Sequence, residues 1–532
     1  MEKAMLAVTG GIWSAYLILV LYVLAMVAVG VVTYKKSKSL DGFLLGERGM
    51  GGWMSAFAYG TTYFSAVVFI GYAGTYGMSL GLGAVWIGIA NAILGSLVAW
   101  LVLAKRTRSL SQRYSASTMA ELFEKRYNSR HIKLYAAIVI FIFLIPYSTS
   151  VYQGIAYLSE AVFGLDFVWC VVIMAVLVGV YLFVGGYFAN AVSNFIQGII
   201  MLIGVVVMII LMLKAPEVNG IEGLKHLIDT GYGFFPDAET TATGSWFDSP
   251  AAQLIFNLLL TSFGIWAVPQ SVQKFFAIRN DRAVLQGSVI STFFALIVGG
   301  GAYFNGSLAR LFYPEMPADP SNIIPNILLS NEMMSYAVLG LIFVLVLSAS
   351  MSTLSSLALV SSSSVCMDIY RGYINKGATD KQVNLLARIL CFVFVIISAV
   401  FAIFEVDAIV TLMSLSWGTL SGCFLGPYVY GLYWKRANKV GAYASVTATL
   451  ATTITLIFVF GKIGGGESFT ELLSLGIKRA PVIGVFCMVE SMIVTPIASL
   501  IGEAVAKRKG VALNAPEVAE KEEVAETVAA NE

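Results

Sequence analysis

Apolar residues fill most of this chain in long runs, and short polar stretches punctuate them. Thirteen runs stand out: 13–34, 51–76, 80–103, 131–162, 167–186, 188–213, 250–272, 286–308, 335–369, 386–405, 406–434, 440–460 and 481–503. Several exceed ~18 residues with almost no charge, enough for a helix to cross a hydrocarbon core of roughly 30 Å. A helix satisfies its own backbone groups, which lipid cannot do. The pattern therefore predicts an all-α polytopic membrane protein of about thirteen transmembrane helices. The first run lacks a small-residue cleavage site and reads as a retained helix rather than a signal peptide.

Two runs are interrupted. The first, "GGWMSAFAYGTTYFSAVVFIGYAGTY", carries Gly60 and two threonines near its centre, and the run 250–272 carries Gly264 and Pro269. Proline removes a helix hydrogen bond and crowds the preceding turn. Helix breaks are expected at Gly60, Gly264 and Pro269. The two interrupted runs stand five apart, and matched interruptions in two halves point to a transport site near the midplane. Five is odd, so the second set must insert with inverted topology. The expected organisation is 1–50 as an external N-terminus, peripheral helix and cytoplasmic loop, then 51–213 as a first repeat. An external loop covers 214–249, and 250–434 forms the second, inverted repeat. Two peripheral helices with their flanks occupy 435–510, and 511–532 is a disordered, acidic cytoplasmic tail.

Composition agrees with lipid as the solvent. Of 532 residues, 58% are hydrophobic and 12% charged, and mean hydropathy is +0.82; no ordinary water-soluble domain has that balance. Charge placement adds direction. Alternate loops hold Lys35, Lys36, Lys38 and Arg48, then Lys105, Arg106, Arg108 and Arg113, and later Lys274, Arg279 and Arg282. The opposite loops are poor in Lys and Arg. The positive-inside rule then puts the N-terminus outside and the C-terminus in the cytoplasm of a plasma membrane. The five cysteines lie in or beside apolar runs and read as small buried hydrophobes. His226 stands in an external loop with no ligand cluster. The chain has no Walker motif, GxSxG elbow or His/Cys cage, and its basic clusters are explained by membrane edges. No enzyme activity and no nucleic-acid partner are expected.

One segment does not look like lipid-facing helix. Residues 347–365 read "LSASMSTLSSLALVSSSSV". Three readings compete. The hydroxyls can bond back to carbonyls of their own helix or pack as small residues. They can line an aqueous pore. Or Ser352 and Thr353 can hold a cation with carbonyls exposed near Thr61 and Phe64, where the helix 51–76 would unwind. Sodium suits the last reading, because a hard cation takes neutral oxygens and is readily released.

Four stretches carry a resemblance. "DGFLLGERGMGGW", "VGGYFANAVSNFIQGIIM", "ASMSTLSS" and "SWGTLSGCFLGPYVYGLYWKRAN" occur in the order found in the sodium/solute symporter family, which includes bacterial sodium/proline and sodium/galactose symporters. The resemblance covers nearly the whole membrane region. It implies a LeuT-like core of two inverted five-helix repeats, with one helix before it and two after. It implies sodium-coupled uptake by alternating access. It also implies a sodium site from carbonyls of Thr61, Phe64 and Ala349 with hydroxyls of Ser352 and Thr353. Many relatives carry an Asp-x-x-Gln pattern where this chain has Asn194-Phe-Ile-Gln197, so one coupled sodium is expected. The sodium/proline branch has an acid inside its broken first helix where this chain has Tyr63, which argues against simple proline specificity.

The solute is then expected between the broken first helix and core helices 3, 6 and 10. Thr62, Tyr63, Ser65 and Val68 come from the first, and Tyr152 and Gln153 from the third. Asn257, Thr261, Trp266 and Gln270 come from the sixth, and Ser416, Trp417 and Thr419 from the tenth. No Lys or Arg is predicted at the midplane, which favours a small neutral or zwitterionic organic solute. The expected partners are that solute, membrane lipid and sodium, with the chain working as a monomer. A proton-coupled carrier, or an uncoupled channel or solute sensor on the same scaffold, remains the alternative.

Overall fold

The structure, a computed structural model, describes residues 2–33, 39–235, 246–317, 319–330 and 335–509. The acidic tail 511–532, Lys35, Lys36, Lys38 and part of the loop 214–249 lie outside the described residues. Eleven helices among the described residues are long and apolar enough to cross a membrane. Most are joined by short connections, the stretches 215–249 and 312–335 being longer, and the described residues include no β-sheet. The outermost faces carry apolar side chains such as Leu17, Leu24, Phe293 and Ile493, each more than half exposed. That is the surface a bilayer requires.

Polar residues at helix starts explain the boundaries. Ser249 caps the helix Pro250–Gly264 by accepting from the Ala252 amide, and Asn438 caps Lys439–Ile463 by accepting from Val440 and Gly441. Thr379 and Gln382 form a reciprocal capping box before Asp380–Ile403. Each cap satisfies amides that have no partner within the helix. Glycines set the closest approaches. A methyl group on Gly77 would run into the backbone of Gly306, and one on Gly306 into the backbone of Ala73. These two helices therefore meet backbone to backbone.

Three discontinuities shape the centre. The helix Gly52–Tyr63 ends at Phe64, and a π-helical segment begins at Val67. Pro250–Gly264 ends before Pro269–Phe276, with Pro269 in the first turn of the second piece. The run Phe167–Lys214 is broken at Gly186, whose φ of 62° and ψ of −164° are open to glycine but not to ordinary residues. Gly264 and Pro269 thus bound a break, as expected. Gly60 does not. The helix continues through it, and the Gly60 carbonyl accepts from Phe64 N at 3.1 Å. A methyl there would strike the Phe294 ring, so Gly60 is a packing glycine. The break falls at Ser65, whose hydroxyl accepts from Val67 N and whose carbonyl accepts from Val68 N at 3.0 Å. A serine that starts the next helical segment does what the glycine was expected to do.

The serine-rich helix Tyr336–Ser363 lies in the middle, buried from Ile342 onward, and packs against Phe167–Lys214 and Glu2–Thr33. It continues as a π-helical segment, Ser364–Ile374. There Asp368 accepts from Thr118 Oγ1 at 2.8 Å and lies 3.7 Å from Lys133 Nζ, which also pairs with Glu124 at 2.9 Å. The two broken helices are tied at one end: Met50 N donates to the Ala277 carbonyl and Arg279 N to the Met50 carbonyl, both at 3.0 Å.

Candidate functional site

The end of Gly52–Tyr63 meets the serine-rich helix through three hydroxyl–carbonyl contacts. Ser352 Oγ lies 2.9 Å from the Thr61 carbonyl and 3.0 Å from that of Ala349. Thr353 Oγ1 lies 3.4 Å from the carbonyls of both Thr61 and Thr62. A carbonyl in the last turn of a helix has no amide of its own helix to accept from. The broken helix thus presents bare acceptors inside the protein, and hydroxyls of a neighbour meet them. Thr61, Ala349, Ser352 and Thr353 are all fully buried. Phe64 stands at the break in extended conformation, its ring against Gly299. Among the described residues, no hydroxyl of this pair reaches its carbonyl.

The chemistry of this cluster is neutral oxygen from two helices, with no carboxylate. Hard cations prefer oxygen donors. A divalent ion would want carboxylates, and the described residues contain no group of three or more His, Cys, Asp or Glu that could hold a metal. The residues fit a weakly held monovalent cation.

An aromatic cluster adjoins it. The Tyr63 ring stacks on Phe64 at 4.5 Å and on Trp417 at 6.0 Å, and its hydroxyl donates to the Thr261 carbonyl at 2.8 Å. Tyr147 meets Trp417 edge-on at 5.7 Å, and its hydroxyl faces Ser65 and Thr353. Trp417 lies against Gly264, whose freed carbonyl accepts from Ser421 Oγ at 2.7 Å. Both broken helices, the Tyr147 helix Arg130–Phe163 and the helix Ile409–Tyr433 converge here. Thr261 Oγ1 and Ser262 Oγ both donate to Asn91 Oδ1, which fixes the second break from behind.

Buried polar atoms without a protein partner mark where a ligand or water would be held. Gln270 has neither side-chain atom paired, and the Trp417 indole N–H and the Tyr147 and Tyr152 hydroxyls are also unpaired. Asn257 Oδ1 has no partner, although its Nδ2 donates to Gln253.

The other expected solute residues are placed as follows. Thr62 turns away from the aromatics toward Ser356, at 3.1 Å. Trp266 donates its indole N–H to the Leu94 carbonyl at 3.0 Å. Ser416 donates to the Phe143 carbonyl in helix packing. Gln153 Nε2 reaches the Asp407 carbonyl at 3.3 Å, toward the loop between 403 and 409. Burial raises the Asp407 carboxyl above the usual range, against the lowering effect of the Ala408 amide. Val68 and Thr419 are buried, in the π-helical segment and in Ile409–Tyr433.

Sequence reasoning missed Tyr147, Asn91, Asn190 and Ser356. Pro146 beside Tyr147 was the available signal, because a proline inside a helix marks local adjustment. It also counted Lys274 among loop charges at a membrane edge, and the structure corrects this. Lys274 is 1% exposed and bonded to Ser356. Its short helix begins anew at Pro269 and carries it inside.

Comparison with known proteins agrees with this architecture. The chain is 28% identical over 461 residues to Sodium/proline symporter 2 of Staphylococcus saprophyticus, covering 84% of this chain and 87% of the relative. It is 25% identical over 494 residues to the Osmoregulated proline transporter OpuE of Bacillus subtilis, covering 92% and 94%. A solved structure of a Na+-coupled sialic acid symporter in a substrate-bound outward-open state superposes with a TM-score of 0.74 at 21% identity, covering 92% of this chain and 97% of that one. At that identity the likeness speaks for the fold alone. The pattern of the sodium:solute symporter family matches residues 43–449, well over half of the sequence. With its broken helices and buried oxygen cluster inside that match, the chain belongs to the sodium:solute symporter family.

Proposed function

We propose that this chain imports a small neutral or zwitterionic organic solute with one sodium ion per cycle, by alternating access. As a member of its family it is a sodium-coupled solute transporter and not an enzyme. The observation that carries the reading is the meeting of Ser352 and Thr353 with the carbonyl end of a broken helix. The sodium site we assign is Thr61, Phe64, Ala349, Ser352 and Thr353.

Sodium would join the broken first helix to the serine-rich helix. That contact sets Tyr63 and, through Thr353, Tyr147, both of which touch Trp417. Ion and solute are thus coupled by shared geometry. The coupling is reciprocal: solute must tighten sodium binding by the factor by which sodium tightens solute binding. The aromatic cluster of Tyr63, Tyr147 and Trp417, with Gln270, is the solute pocket we assign. It contains no formal charge. Two relatives are named for proline and a structural neighbour for sialic acid. An uncharged pocket favours the zwitterion over the acidic sugar.

The reading includes thirteen spans. Counting a division at Gly186 and another at Gly81, where φ is again positive, supports that number. The two breaks then fall in the second and seventh spans, five apart, which supports an inverted repeat over 51–213 and 250–434. The basic residues at 105–113 and 435–439 support a cytoplasmic location for that side, with the N-terminus outside.

The deciding experiment is solute-induced sodium binding to the purified protein, over a panel containing proline, other amino acids, sialic acid and neutral sugars. A solute that tightens sodium binding in the native chain and fails to do so in Ser352→Ala supports the reading. Solute binding that follows pH and ignores sodium would replace it with proton coupling.

A further inference from the structure

Lys274 is a buried lysine with no carboxylate beside it. Its Nζ donates to Ser356 Oγ at 2.9 Å and lies 5.1 Å from the centre of the Tyr187 ring. Among the described residues, no carboxylate comes within ion-pair distance of it. Burying an ammonium in this way is costly unless neutral oxygens and an aromatic face replace its water. Here Ser356 Oγ supplies the oxygen and Tyr187 the ring, and the serine is held in turn by its neighbours. Asn190 Nδ2 donates to Ser356 Oγ at 3.3 Å, and Asn190 Oδ1 accepts from Ser355 Oγ at 2.7 Å. The Ser356 hydroxyl itself donates to the Ser352 carbonyl, 2.9 Å away. Ser356 Oγ is therefore surrounded, with Lys274 Nζ, Asn190 Nδ2 and Thr62 Oγ1 all within hydrogen-bond distance.

Chemically this cluster matches the sodium site beside it: serine hydroxyls, a carbonyl and an amide oxygen, with no formal negative charge. The two share Ser352, whose hydroxyl faces the Thr61 carbonyl and whose own carbonyl receives Ser356. We propose that Ser355, Ser356 and Asn190 form a second monovalent-cation site, and that the Lys274 ammonium is its permanent, untransported occupant. The inference rests on the reading of Ser352 and Thr353 as the sodium site. It has two consequences. A tethered ammonium keeps a second sodium out, so one ion is coupled per cycle. It also sets a positive charge near the first site, which weakens sodium binding there and aids release.

The test uses radioactive sodium alone, binding at equilibrium to the purified full chain, so no solute need be known. The native protein should bind one ion. The double variant Lys274→Gln/Asn190→Asp, which frees the site and gives it a carboxylate, should bind two. Asn190→Asp alone should still bind one, because the new carboxylate pairs with Lys274, and Lys274→Arg should also bind one. Lys274→Met, which adds no acid, should tighten the remaining site on the order of tenfold, as expected for removing a nearby like charge at an effective dielectric near 20. This variant serves if the double one does not fold. Two ions bound by the native chain would overturn the inference. So would one ion in the double variant together with native affinity in Lys274→Met. Ser352→Ala separates the two failures. If it binds sodium normally, the sodium-site reading itself is wrong. If it loses sodium while the Lys274 variants behave as native, only the tethered cation is wrong.

Discussion

Replacing Ser352 by alanine removes one oxygen from the proposed ion cluster and leaves the rest of the helix unchanged. The lost hydroxyl lies 2.9 Å from the Thr61 carbonyl and 3.0 Å from that of Ala349. Hydrogen bonds or ligation to a charged group are worth about 1.5–3 kcal/mol, while a neutral buried hydrogen bond is worth about 1 kcal/mol. The ion-bound state should therefore suffer more than the fold. At 1.36 kcal/mol per factor of ten, the sodium concentration for half-maximal uptake should rise about 10- to 150-fold. Stability without sodium should fall by only about 1 kcal/mol, because Thr353 Oγ1 remains 3.4 Å from the Thr61 carbonyl. The assay is sodium-dependent uptake into proteoliposomes, with the melting temperature of the same preparation measured with and without sodium. Thr353→Ala should behave similarly and Thr353→Ser should keep native behaviour, since it keeps the hydroxyl. By reciprocity, solute affinity at fixed sodium should fall as the ion site fails. The assignment is refuted if Ser352→Ala and Thr353→Ala both show native half-activation while stability falls, for then these hydroxyls only hold the helices together.

Other substitutions separate binding from folding. Tyr63→Phe loses the bond to the Thr261 carbonyl but keeps the ring. It should raise the solute concentration for half-maximal uptake about fivefold, for a bond worth about 1 kcal/mol. Gly77→Ala drives a methyl into the backbone of Gly306. It should destabilise by about 1–3 kcal/mol or more, read as a lower melting temperature and poorer yield in detergent. Arg126 donates to the carbonyls of Gly431, Trp434 and Ala437 at the end of the helix Ile409–Tyr433. Arg126→Lys should not rescue the stability lost in Arg126→Ala, because an ammonium cannot span three acceptors as the planar fork does. Asp407 should show in a stability–pH profile. Burial raises its carboxyl above the usual range, so the folded state binds its proton more readily than the unfolded chain does. Its contribution therefore falls as pH rises from the ordinary carboxylate value through the raised one. Asp407→Asn should flatten that part of the profile of melting temperature against pH, and an unchanged slope would contradict the assignment.

Much of the centre was written in periodicity. Ala349, Ser352, Thr353 and Ser356 stand at i, i+3, i+4 and i+7, which is one face of a helix. That spacing already set them together before any partner was known. What the pattern could not separate was a hydroxyl that reaches across from one that bonds within its own helix. Ser350 donates to Val346 and Ser363 to Val360. Both have the composition and burial of Ser352. The difference lies in the neighbour: only the face opposite the end of Gly52–Tyr63 meets carbonyls with no amide of their own. The position of that break was misjudged by five residues, because Gly60 has the weaker helix propensity while Ser65 has the capping hydroxyl.

Lys274 was illegible for a related reason. A lysine just past an apolar run ordinarily extends its stem and leaves the ammonium in water. Counting it as a loop charge applies that rule across Pro269, where it no longer holds. Pro269 opens a separate eight-residue helix, Pro269–Phe276, and every residue of that helix is buried. The break that frees the Gly264 carbonyl for Ser421 is also what carries a lysine into the serine-rich helix. The same interruption therefore builds part of the solute pocket and delivers a cation beside the sodium ligands. Healing it should disturb both. Pro269→Ala, which restores an amide and relaxes the preceding turn, should alter sodium half-activation as well as solute affinity, although Pro269 is not among the sodium ligands we assign. A change in solute affinity with sodium activation left intact would show that the two functions of the break are separable.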